Sequence, residues 1–77
     1  MDPAVAAEQM WASVNASDLP DEHPEYGKDH LRWMIEQVAL RKITGEKAHR
    51  WIGWIQGCVC VGNGATLEEM KLINKKA

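Results

Sequence analysis

Gly45-Glu46-Lys47-Ala48-His49-Arg50-Trp51-Ile52-Gly53-Trp54-Ile55-Gln56-Gly57-Cys58-Val59-Cys60-Val61 is the stretch that decides the fold. Ala48, Trp51, Ile52, Ile55, Cys58 and Val59, continued by Gly62, recur at helical spacing and form one wide stripe. Trp54 and Val61 extend the stripe on one side. From Trp51 onward the segment is apolar nearly all round, which predicts a helix over 45–61 that is the central element of the domain. Thr44 stands at its N-cap with Glu46 in its first turn, and Gly62-Asn63-Gly64 supplies the left-handed residue that ends a helix. Gly53, Gly57 and Cys60 make a ridge of small residues. A glycine costs roughly 1 kcal/mol against alanine inside a helix, so two of them predict a compensating close crossing with another helix of the same chain.

Upstream, Leu31, Met34, Ile35, Val38 and Lys42 repeat at i, i+3, i+4, i+7, predicting a helix over 28–42 with Arg41 and Lys42 in its last turn. Asp2-Pro3 is an N-cap acid followed by proline at the first helical position, and Val5, Met10 and Val14 approach one face of a helix over 3–15. Between these helices, Pro20 and Pro24 rule out a continuous helix through Asn15–Gly27, and the first helix is expected to be loosely attached. Downstream, Thr66 and Glu69 form a capping box for a short helix over 67–75 with Leu67, Met70 and Ile73 inward. The fold class is therefore all-α: a small bundle of three to four helices built on a central antiparallel hairpin. Residues 1–27 form an N-terminal helix and acidic loop, residues 28–77 the helical core, within one domain.

At 77 residues the chain buries only about 60% of the surface its unfolded form exposes, so disulfides, a metal or a partner subunit would help it. Cys58 and Cys60 are too close for an unstrained bridge, and the acidic N-terminus does not read as a signal peptide. No apolar run reaches the roughly 18 residues of a membrane span. These features predict a reduced, cytoplasmic protein. The net charge of −2 hides a division. Asp2, Glu8, Asp18, Asp21, Glu22 and Glu25 precede every Lys and Arg, and residues 28–77 carry nine bases against five acids.

The residues call for no cofactor, no metal and no enzyme. Cys58 and Cys60 point about 200° apart on a helix, and His49 lies about 13 Å of helical rise from Cys58, beyond the reach of a nucleophile–base pair. His23 and His30 with Asp21, Glu22 and Glu25 fall in a proline-containing loop without fixed ligand geometry. Four tryptophans exceed what so small a core can enclose. Trp33, on the flank of its helix, and Trp54, on the edge of the stripe, are expected nearest the surface, with Arg50 one turn before Trp54. Together with the acids Asp18, Asp21, Glu22 and Glu25 they are the candidate partner-binding residues, for another protein or for a homodimer. Arg41, Lys42, Lys47 and Arg50 around the turn are the alternative, a nucleic-acid-binding surface. A recognition helix needs an exposed polar face, and the apolar character of Trp51–Val61 disfavours that reading.

Gly45 to Gly57, followed by Thr66-Leu67-Glu68-Glu69-Met70-Lys71 and Asn74, resembles small accessory proteins of temperate tailed phages and prophages. In these a Lys-x-x-Arg-Trp-hydrophobic-Gly-aromatic-hydrophobic-Gln-Gly core precedes a Thr-hydrophobic-Glu-Glu turn. The likeness covers the C-terminal part of the chain, including Asp29-His30-Leu31, and not residues 1–27. It implies a non-enzymatic protein in a bacterial cytoplasm that binds and modulates, or inhibits, a bacterial host protein.

Overall fold

Asp2 caps the first helix as its position demands: its carboxylate accepts the Ala4 N–H at 3.0 Å, and Pro3 opens the helix. The computed structural model describes residues 1–77, and every regular element is helical. These are α1 (Pro3–Glu8), α2 (Trp11–Ala16), α3 (Lys28–Ala39), α4 (Gly45–Val61) and α5 (Leu67–Lys76). The chain is thus the small all-α bundle its patterning predicts, and no helix is long and apolar enough to cross a membrane.

The predicted N-terminal helix is two helices. At Gln9 and Met10 the hydrogen bonds tighten to Gln9 N–H→Ala6 O at 3.1 Å and Met10 N–H→Ala7 O at 3.0 Å, and the chain turns. The turn sends Met10 into the core with Val14, and leaves Val5 exposed. The face that α1 buries is instead Ala4, Ala6 and Ala7, small residues that let α1 lie close against α3 and α4. The expectation of a loosely attached first helix is overturned, because α1 and α2 belong to the same core as α3 and α4.

The core comprises Met10, Val14, Leu31, Ile35, Val38, Ile52, Ile55 and Val59 as its largest enclosed side chains. Leu31, Met34, Ile35 and Val38 are the predicted stripe of α3, and α3 receives α1, α2 and α4. This helix ends earlier than its periodicity predicts. Arg41 takes a left-handed backbone (φ 59°), with Arg41 N–H donating to Val38 O at 3.0 Å and Lys42 N–H to Gln37 O at 2.9 Å. That is a Schellman ending, and it removes Arg41 and Lys42 from the last turn. Asn63 (φ 58°) repeats it after α4, with Gly64 N–H donating to Val59 O at 2.8 Å.

The bounds of α4 are those its sequence predicts. Thr44 stands at the N-cap with extended backbone, but its side chain makes no capping bond. The capping box of α5 is present, Thr66 N–H donating to Glu69 Oε1 at 3.0 Å and Glu69 N–H to Thr66 Oγ1 at 3.1 Å. Met70 is buried as expected, whereas Leu67 is 62% exposed and lines the cleft between α4 and α5.

Candidate functional site

Burial of Ala48, Ile52, Ile55 and Val59 turns the opposite side of α4 outward. Glu46, Arg50, Gly53, Trp54, Gly57 and Val61 share that side, and all are exposed. This corrects two expectations. The helix is not the central element, since α3 is the one that receives α1, α2 and α4, and Val61 at the end of α4 is 82% exposed. The glycine ridge makes no intramolecular crossing: a Cβ at Gly53 or Gly57 would meet nothing within 4 Å. Cys60 alone of the three small residues packs against the core.

Two grooves flank the ridge and share Gly53 and Gly57. The larger, about 460 Å³, is lined by Leu19, Tyr26, Trp54, Cys58 and Val61. The smaller, about 280 Å³, lies against α5, between Gln56 and Cys60 on one side and Leu67, Met70 and Lys71 on the other. Cys58 lies at the inner edge of the larger groove, where burial pushes its thiol pKa up and keeps it protonated.

The wall of the larger groove is the acidic loop, which is strapped to the core at several points. Asp18 N–H donates to Gly62 O at 2.6 Å, and Lys28 N–H and Asp29 N–H donate to Pro20 O and Asp21 O at 2.9 and 3.1 Å. His23 stacks on Tyr26 with ring centres 3.6 Å apart, and its Nδ1 accepts the Glu25 and Tyr26 N–H groups. Trp54 Nε1–H donates to Glu25 O at 2.8 Å, so the indole that walls the groove also fastens the loop. Where the strap crosses the end of α4, Gly62 leaves room for Leu19, which a Cβ would strike, and Gly64 for the Ser13 carbonyl and Ser17. The loop follows α4 from its C-terminal end toward its middle.

Asp18, Asp21, Glu22 and Glu25 are all exposed. The chain's two ion pairs are Asp2–Arg41 at 3.0 Å and Glu68–Lys71 at 3.5 Å, so none of the four forms an ion pair. Asp18 accepts a hydrogen bond from Asn63 Nδ2 at 3.3 Å. Trp54 is 47% and Trp33 49% exposed, against the half-buried Trp11 and Trp51. Trp33 lies between His30 and Trp51, at 5.6 and 5.5 Å between ring centres, and Lys47 Nζ stands 5.4 Å from the Trp51 ring. Trp33 and Trp51 thus form an aromatic contact between α3 and α4.

The basic turn is not one free surface. Arg41 is held by both oxygens of Asp2, and Lys47 sits over Trp51, which leaves Lys42 and Arg50 exposed without ion-pair partners. The Arg41 hydrogen bond holds the Asp2 carboxyl below its ordinary value of 3.8. His, Cys, Asp and Glu side chains do not converge in groups of three or more. Leu19 and Tyr26 are groove residues that the periodicity did not single out, because each is one apolar residue in a polar loop. Comparison with protein-family models, with curated proteins and with solved structures found no match.

Proposed function

We propose that the chain is a non-enzymatic protein-interaction module that docks a helix of a protein partner along α4. The observation that carries the proposal is the apolar groove beside Gly53 and Gly57, walled by Trp54 and Tyr26 and left uncovered by the chain's own helices. Glycines on an outward helix face allow a second backbone to approach closely, and an exposed tryptophan beside them supplies an anchor of the kind that dominates protein interfaces. The polar rim and apolar floor match the groove mode of helix recognition. The resemblance of Gly45–Gly57 to phage accessory proteins supports the wider proposal that binding modulates a bacterial host protein.

A photo-crosslinking residue at position 61, on the groove, and at position 36, on the exposed side of α3, tests the docking reading in bacterial lysate. The expected result is a discrete protein adduct from position 61 and none from position 36. Equal adducts from both positions, or none from position 61, would refute the groove as the docking surface.

A further inference from the structure

We infer that in the free protein the α4 groove is covered by a second copy of the chain, with the two α4 helices crossing antiparallel over Gly53 and Gly57. The inference rests on the docking reading above and names the occupant. What selects a second copy is one cation and one acid standing exposed at opposite ends of α4. Arg50 lies in the N-terminal half of the outward face, one turn after Glu46 and nearer the glycines, exposed and without an ion-pair partner. At the other end stands Asp18, fixed by its N–H to Gly62 O and by Asn63, and exposed. Arg50 and Gly62 are separated by about 18 Å of helical rise.

A two-fold axis passing between Gly53 and Gly57 brings Gly53 of one copy over Gly57 of the other. It also carries Arg50 to the C-terminal end of the second copy's α4, next to Asp18 of the second copy. The relation is reciprocal, as in every isologous interface, so one contact type supplies two ion pairs. A parallel arrangement would instead set Arg50 against Arg50 and acids against acids, which costs association. The antiparallel crossing covers Val61 and Trp54, and the absence of side chains at both glycines lets the helices approach closer than the usual 8–10 Å. It also gives a role to two glycines that no intrachain contact requires.

Sedimentation velocity of the full chain over a concentration series tests this. A monomer–dimer equilibrium is expected, with Val61→Glu, Arg50→Glu and Asp18→Lys each raising the dissociation constant roughly tenfold or more. The decisive measurement is a mixture. Arg50→Glu self-pairs acid with acid and Asp18→Lys self-pairs base with base, whereas a heterodimer of the two chains keeps one ion pair in its original sense and makes the other in reversed sense. The mixture is therefore expected to associate within about threefold of the parent, a result that misfolding of either variant cannot produce. Circular dichroism of each variant confirms that it is folded. A chain that stays monomeric at all concentrations, a dimer indifferent to Val61→Glu, or a mixture no better than its components overturns the inference. If the chain is monomeric while position 61 still crosslinks to a protein, the second copy is refuted and the docking groove stands. If both fail, both readings fall.

Discussion

Gln56 on α4 and Asn74 on α5 exchange both amide hydrogen bonds, Gln56 Nε2–H to Asn74 Oδ1 at 2.6 Å and Asn74 Nδ2–H to Gln56 Oε1 at 3.1 Å. Gln56 is only 9% exposed. A buried side-chain amide must find partners within the fold, and here each amide satisfies the other. α5 is also held by the buried Met70, by Ile73 and Ala77 at the edge of the core, and by Asp2 N–H donating to Ala77 O at 3.1 Å. The amide pair thus ties α5 to α4 within the second groove along the glycine ridge.

Replacing one partner strands the other. Asn74→Leu and Gln56→Leu are each expected to cost about 1–3 kcal/mol, because the remaining amide loses its partner at a largely desolvated site. The double variant is expected to cost less than the sum, since two apolar groups leave nothing unsatisfied. Urea titrations of the four proteins measure the coupling. Strict additivity would show that the amides act independently.

Acid should reveal the tie between Asp2 and Arg41. Hydrogen bonding to Arg41 lowers the folded-state pKa of Asp2 from 3.8. Its stabilisation is thus present above the unfolded value and is lost as pH falls through the folded one. Melts between about pH 5 and about pH 2 should show a shallower loss for Arg41→Met than for the parent. Identical slopes would mean that the pair contributes nothing. Arg41→Gly is a separate case. It gives up the exposed pair, which is of little worth, but relieves a left-handed backbone at φ 59°, a relief of about 1 kcal/mol. Its melting temperature at neutral pH is expected to equal or exceed that of the parent.

Particular residues show how far the fold was legible. The bounds of α4 follow from a clear stripe and an Asn-Gly ending, both local signals. Those of α3 do not, because Arg41 takes the left-handed position that sequence assigns to glycine or asparagine, and it is held there alongside a tertiary contact with Asp2. The break at Gln9–Met10 has no local marker either; it follows from α1 packing through alanines while Met10 fills the core. The candidate site was half legible. The large exposed areas of Trp33 and Trp54 follow from their offset from the buried stripes. That Gly53 and Gly57 face outward does not, because small residues pack equally well within a chain or between chains. Leu19 and Tyr26 join the groove only through the path of the loop.

The two thiols should differ in reactivity. Cys58 is buried and its pKa is raised by desolvation, whereas Cys60 is half-buried. The thiolate is the reacting form, so a chain retaining only Cys60 is expected to label roughly tenfold faster than one retaining only Cys58. Cys58→Ser and Cys60→Ser with a chromogenic disulfide supply the comparison. Faster labelling of Cys58 would show that the groove wall opens in solution.

Three glycine-to-alanine changes should separate into two signs. Gly64 is fixed by its surroundings: an added Cβ would strike the Ser13 carbonyl and the Ser17 backbone, and backbone does not yield as a flexible side-chain end does. Gly64→Ala must therefore lift the α4–α5 turn away from α2. It would also strain the Asp18–Gly62 tether that begins the acidic strap. A loss of about 1–3 kcal/mol is expected. Gly53 and Gly57 stand in open space in the middle of α4, where a Cβ touches nothing and φ is ordinary for a helix. Alanine there removes backbone freedom from the unfolded chain, and each change is expected to add about 0.4–1 kcal/mol. Chemical denaturation at low protein concentration reads the effect on the single chain, free of any contribution from association. If Gly53→Ala and Gly57→Ala instead destabilise the isolated chain, the ridge is an internal packing surface and the outward face of α4 is wrongly assigned. If they stabilise the chain while weakening its association at higher concentration, the glycines are retained for contact between chains and not for folding.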